Sequence, residues 1–138
     1  MDLKLKGRRV LVTGSSSGIG EGIARMLAQE GCAVVVHGRN RERAEKVAAD
    51  IKAAGVAIGD LSTDDGATAV HSEARTALGG HIEILINNAG GSSTGNTTKT
   101  PIQISAADWI SNYHTNTDRK STRLNSSHLR RSRMPSSA

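Results

Sequence analysis

Apolar positions along this chain fall into short runs that alternate with stretches of helical spacing. Val10, Leu11 and Val12 form a first run, as expected of a short buried strand. It ends in Thr13-Gly14-Ser15-Ser16-Ser17-Gly18-Ile19-Gly20. Ile19, Ile23 and Leu27, with Ala24 and Ala28 beside them, then follow a helical period that Gly31 stops. Residues 32–36 predict a second apolar strand, closed by His37-Gly38. Asn40 is placed to cap a helix through Ala44, Val47, Ala48 and Ile51, with Gly55 as its stop. Val56-Ala57-Ile58 predicts a third strand ending at Gly59-Asp60. A helix over about residues 64–78 precedes Gly79-Gly80, and residues 82–86 predict a fourth strand that enters Asn87-Asn88-Ala89-Gly90. After a Gly/Ser/Thr-rich loop over residues 91–100, Ser105 and Asp108 have the spacing of a capping box for a last helix. Strands and helices in strict alternation predict an α/β fold, with a parallel sheet covered by helices on both faces.

Charge divides the chain in two. The formal net charge is +5 over 138 residues, and all of that excess falls in residues 118–138. Those residues carry Arg119, Lys120, Arg123, Arg130, Arg131 and Arg133 against Asp118, with many serines and no apolar period. They predict a disordered basic tail. Residues 118–121 also back-translate without strain as GATCGGAAGAGC. The reading continues through residue 128 as a string resembling a short-read sequencing adapter, and residues 132–138 resemble that adapter's far end. The tail is therefore expected to be read-through rather than native sequence. Residues 1–117 hold the remaining fold signal and no net charge.

Composition narrows the classes further. Phe is absent and Trp and Tyr occur once each, so aliphatic residues must build the core. No apolar run approaches the roughly 20 residues of a membrane span, and no membrane partner is expected. The start lacks a signal-peptide core and Cys32 is a lone cysteine, so a reducing, cytoplasmic setting is expected. Cys32 itself reads as a small buried strand residue. His37, His71, His81 and His114 lack ligand spacing, and no metal site is expected. The basic tail has no aromatic or helical feature to support nucleic-acid binding.

The chemistry concentrates at predicted strand ends. Thr13-Gly14-x-x-x-Gly18-x-Gly20 lies between a strand and a helix. Phosphate binding needs bare backbone N–H groups at a helix N-terminus. Gly14 permits the tight turn, Gly18 lets a dinucleotide approach, and Gly20 permits close helix–strand contact. After the second strand an NAD site usually offers an acid to the ribose hydroxyls. Here the residues are His37, Gly38, Arg39 and Asn40, with no carboxylate. Arg39 can pair with a 2′-phosphate, which favours NADP over NAD. The plainer reading of Arg39, Arg41 and Arg43 is a solvated helix start. Asp60-Leu61 and Asn87-Asn88-Ala89-Gly90 fall after the third and fourth strands, where a doubly wound sheet binds its ligand. Taken singly, they are turn signals.

With these motifs in this order, residues 1–117 resemble the N-terminal half of a short-chain dehydrogenase/reductase, in the subgroup that includes the 3-oxoacyl-carrier-protein reductases. The resemblance implies an incomplete Rossmann-like sheet of about four strands. It implies that Gly14, Ser16, Ser17, Gly18, Ile19 and Gly20 line the pyrophosphate. Asp60 and Leu61 would flank the adenine, and Asn88, Ala89 and Gly90 would pass beside the ribose and nicotinamide. Trp109 and Asn116 have the spacing of the family's Trp and catalytic Asn, so Asn116 would support the water of a proton relay. Its plainer reading is a polar helix residue. The family's Ser and Tyr-x-x-x-Lys are not found: Tyr113 is the single tyrosine, and Thr117 stands four residues on. The expected parent is an NADP-dependent oxidoreductase acting on a small carbonyl or secondary alcohol, tetrameric when intact, with this chain an inactive fragment of it. A non-catalytic nucleotide-binding module, and a nucleic-acid binder acting through the tail, are the alternative readings.

Overall fold

The computed structural model describes residues 2–90 and 105–113. Its elements are β1 (Arg9–Val12), α1 (Gly18–Gln29), β2 (Ala33–Gly38), α2 (Arg41–Ile51), β3 (Gly55–Ile58), α3 (Asp64–Leu78), β4 (Ile84–Ile86) and α4 (Ala106–Tyr113). The strands form one parallel sheet in the order β3-β2-β1-β4. In register, Leu11 lies beside Val35 and Leu85.

Alternation along each strand assigns the two faces. Leu11, Val35 and Ala57 pack with Leu61 and with Ala67, Val70 and Ala74 of α3. On the opposite face, Val10, Val12 and Val34 pack with Ala24 of α1, and Val36 packs with Ala44 and Val47 of α2. Helices on both faces explain why β1 and β2 read as unbroken apolar runs. Each fully buried Val or Leu contributes about 1.5–3 kcal/mol by leaving water.

Several boundaries differ from the sequence expectations: β1 begins one residue early, at Arg9, and β2 one residue late, at Ala33, so Cys32 is a half-buried residue before the strand rather than a buried one within it. β2 runs on through His37 and Gly38, because β3 pairs with both of them, through Ala57 and Ile58. Gly55 opens β3 and does not stop α2. The stop is Lys52, left-handed at φ 53°. A Cβ on Gly55 would stand 2.7 Å from that of Ala77, so its smallness serves the contact with α3. β4 begins at Ile84 rather than at 82. One apolar position of α1 also departs from its expected burial: Ile19 is 80% exposed, and Gly20 and Ala24 are the buried residues of that helix. No helix among the described residues is long and apolar enough to cross a membrane.

Candidate cofactor site

β2 and β3 lie on one side of β1, and β4 lies on the other. The strand order therefore reverses at β1, and doubly wound sheets bind their ligands beyond the carboxyl ends of the strands at such a point. The turn after β1 stands at this point and is bonded to the end of β4. Thr13 is fully buried. Its hydroxyl donates to the Ile86 carbonyl at 3.2 Å and accepts the N–H groups of Asn88 and Ala89, each at 3.0 Å. The Asn88 side-chain amide donates to the carbonyls of Thr13 at 3.0 Å and Gly14 at 3.2 Å. Asn88 thus points its amide back at β1 and staples the two strand ends together.

The glycines fit this close packing. Gly14 has φ +64°, and a Cβ on it would lie 2.8 Å from the Ala89 Cα. A Cβ on Gly20 would strike the Gly14 carbonyl oxygen and the Asn88 amide nitrogen. Gly18 has φ +58° but faces open space. Ser16 is half-buried, and its Oγ would lie 2.6 Å from a Cβ on Gly38. Ser17 is the N-cap of α1 and makes no side-chain capping bond. By contrast, Asn40 caps α2 through Arg43 N–H at 3.0 Å, and Thr63 caps α3 through Gly66 N–H at 3.0 Å. The first turn of α1 therefore keeps its N–H groups for an outside acceptor.

The other predicted residues surround this loop. Arg39 is exposed just past β2 and forms no ion pair among the described residues. Arg41 turns toward Glu45 at 3.4 Å and Glu73 at 4.0 Å. Asp60 is exposed after β3, and its carboxylate accepts the Ser62 N–H at 2.9 Å and hydroxyl at 2.7 Å. Leu61 is only 3% exposed and its side chain belongs to the α3-side core. Ala89 is half-buried against Gly14, and Gly90 is exposed. Asn116 lies outside the described residues, as do the Gly/Ser/Thr-rich loop and the basic tail. Among the described residues, no three His, Cys, Asp or Glu side chains gather as metal ligands. Cys32 donates its thiol to the Leu5 carbonyl at 3.4 Å, and burial pushes that thiol up from its ordinary value.

One site residue was passed over in the sequence. His37 is buried at 3% exposure, between the glycine loop and the end of β3. The Gly14 N–H donates to its Nδ1 at 2.8 Å, and its Nε2 lies 3.0 Å from the Gly59 carbonyl. Its backbone N–H donates to the Ser15 hydroxyl at 2.9 Å, which donates in turn to the Val12 carbonyl at 2.7 Å. Thr13, Ser15 and His37 are the buried polar side chains among the described residues, and all three stand at this end of the sheet. The available signal was parity. His37 shares the alternation of Val35, so a polar ring occupies a core-facing position.

A sequence profile of the short chain dehydrogenases matches residues 8–119. The chain belongs to the short chain dehydrogenase family. Within it, the chain is 42% identical over 93 residues to the uncharacterized oxidoreductase YvrD of Bacillus subtilis, covering 65% of this chain and 35% of that protein. Among solved structures it is similar to the L-sorbose reductase of Gluconobacter frateurii complexed with NADPH and L-sorbose. That match has a TM-score of 0.79 and 30% identity, and covers 91% of this chain and 48% of the other. It is also similar to a 3-ketoacyl-(acyl-carrier-protein) reductase of Brucella melitensis complexed with NADH. There the TM-score is 0.78 and the identity 28%, over 91% of this chain and 50% of the other. The chain thus spans about a third to a half of the length of these short chain dehydrogenases.

Proposed function

We propose that this chain is the nucleotide-binding part of an NADP(H)-dependent reductase or dehydrogenase. The whole protein would move a hydride between the nicotinamide and a small carbonyl or secondary alcohol. The observation that carries this reading is the β1–α1 turn. It is closed on itself by Gly14, Gly20 and Asn88, while Gly18 and the uncapped first turn of α1 remain open. The residues present fit a dinucleotide. Ser16, Ser17, Gly18 and Ile19 would border its pyrophosphate, with Gly14 and Gly20 giving the loop its shape. Asp60 and Leu61 would flank the adenine, Leu61 through its backbone because its side chain is in the core. Ala89 and Gly90 would run beside the ribose and nicotinamide, where Asn88 holds them. Asn116 would support a proton-relaying water. When bound, the nicotinamide supplies the hydride chemistry.

NADP is preferred over NAD because no carboxylate follows β2 and Arg39 stands free of ion pairs there among the described residues. The related structures are complexed with NADPH in one case and NADH in the other, so this preference rests on the residues of this chain. The 138-residue chain alone is proposed to bind without turnover. Its single tyrosine has Thr117, not Lys, four residues on, so no Tyr-x-x-x-Lys is present to donate a proton. A fluorescence titration of the purified chain with NADPH and NADH tests the reading. NADPH is expected to bind tighter by about tenfold, the scale of one charge-assisted pair. Arg39→Asp should reverse the order. Binding of neither nucleotide would overturn the reading, as would NADPH oxidation that scales with the chain.

A further inference from the structure

We propose that His37 is a positioning residue of the nucleotide cleft: it braces the glycine loop at Gly14 against the end of β3 at Gly59 and so fixes the width of the cleft's adenosine side. The hydrogen bonds determine its form. A backbone N–H only donates, so Nδ1, 2.8 Å from Gly14 N, accepts and carries no proton. A carbonyl only accepts, so Nε2, 3.0 Å from Gly59 O, carries the hydrogen. The ring is thus the neutral Nε2–H tautomer, with its two nitrogens pulling on two different loops.

Each loop has other ties to the sheet, such as the Ser15 N–H to the His37 carbonyl at 2.9 Å, and the ring links the two loops to each other. The Gly14 peptide sits at positive φ in a loop with little side-chain bulk. His37 holds its N–H from the β2 side, and Asn88 holds its carbonyl from the β4 side. Gly59 is tied to β2 by its N–H to Gly38 O at 3.3 Å, and His37 adds the second tie at its carbonyl. Asp60 follows at once, so a shift of the ring moves the loop and Asp60 together. Because the Gly14 N–H is engaged by His37, the loop offers a phosphate only its later N–H groups. The nucleotide role rests on the cofactor reading above; the tautomer and the brace do not.

The test has two arms. Nitrogen-15 NMR of the imidazole in the chain without nucleotide should show an unprotonated Nδ1 and a protonated Nε2. The opposite tautomer or an imidazolium at neutral pH would overturn the brace, whatever the chain binds. In the second arm, NADPH affinity is compared in His37→Leu and His37→Asn. Leu fills most of the space and makes neither bond. Asn is smaller but places an acceptor near the position of Nδ1. A brace predicts that Leu weakens binding by about tenfold or more and that Asn recovers part of the loss. A space-filling role predicts the reverse order. If Leu binds as well as wild type, or better than Asn, the inference falls while the cofactor reading stands. If wild type itself does not bind, the cofactor reading falls, and the nucleotide role of His37 falls with it.

Discussion

Gly20 and Gly22 sit two residues apart in α1 and have opposite reasons for lacking a side chain. A methyl on Gly20 would enter the Gly14 carbonyl and the Asn88 amide, whereas a methyl on Gly22 meets nothing within 4 Å. Gly20→Ala is therefore expected to destabilise by about 1–3 kcal/mol through overpacking, and to weaken NADPH binding by pushing out the loop. Gly22→Ala should stabilise by roughly 0.5–1 kcal/mol, as alanine does in a helix interior. Chemical denaturation of the two variants beside the parent checks both signs; equal effects would refute the packing argument. Gly20 was legible in the sequence because one of its constraints, the Gly14 carbonyl, is local and recurs at fixed spacing around a strand–turn–helix; its contact with the distant Asn88 amide was not. His37 was not legible by the same route. Its partners lie 23 and 22 residues away, and no spacing rule joins an imidazole to a glycine N–H. Leu61 falls between the two cases. Its place after β3 could be read, but its burial against α3 depends on a helix that starts at Asp64 and folds back.

Among the elements, helix starts followed the sequence closely, because capping needs only a few neighbouring residues. Asn40 caps α2, and Ser105 and Asp108 exchange hydrogen bonds as a capping box at 3.1 and 3.0 Å. The errors came where tertiary contact decides. Gly55 looked like a helix stop and is a strand residue held against Ala77. The start of β4 depends on such a contact as well. Glu83 accepts the Arg9 backbone N–H at 2.9 Å and pairs with the Arg8 side chain at 3.0 Å, tying β4 to β1 at the sheet end away from the glycine loop. The Arg9 N–H first, and then the Arg8 side chain, hold the Glu83 carboxyl below its ordinary range. A lowered folded value means that this stabilisation is fully present above the unfolded value, about 4.3, and is lost as pH falls through the folded one. The stability difference between wild type and Glu83→Gln should therefore shrink between about pH 6 and pH 3. A difference that stays constant or widens on acidification would show that the clamp is not ionic.

For the molecule as a whole, the alternation of elements was enough to predict a parallel sheet covered on both faces. The alternation by itself could not give the sheet's strand order, because a right-handed crossover can lay the next strand on either side of the one before. The observed order leaves β4 at one edge, paired only with β1 among the described residues. Its three residues, Ile84, Leu85 and Ile86, are all half-buried, whereas Val10, Leu11 and Val12 of β1 are fully buried. An apolar edge with unpaired N–H and C=O groups is a template for another strand. β3, at the opposite edge, is better protected, since the Glu73 carboxylate accepts the Ile58 N–H at 2.7 Å. The side-chain bond that reaches β4, from the Thr13 hydroxyl to the Ile86 carbonyl, comes from the β1 side and leaves the outer edge uncovered, and α4 exposes Trp109, Ile110 and Tyr113. The 138-residue chain is therefore expected to associate through β4. On size-exclusion chromatography with light scattering its mass should rise with concentration in the micromolar range. Lysine at Leu85 would unfold the core that it also serves, so the discriminating probe is amide exchange. Protection of the β4 amides should rise with chain concentration while the β3 amides stay unchanged. A chain that remains monomeric throughout, or one whose concentration-dependent protection falls on β3, would place the vulnerable edge elsewhere.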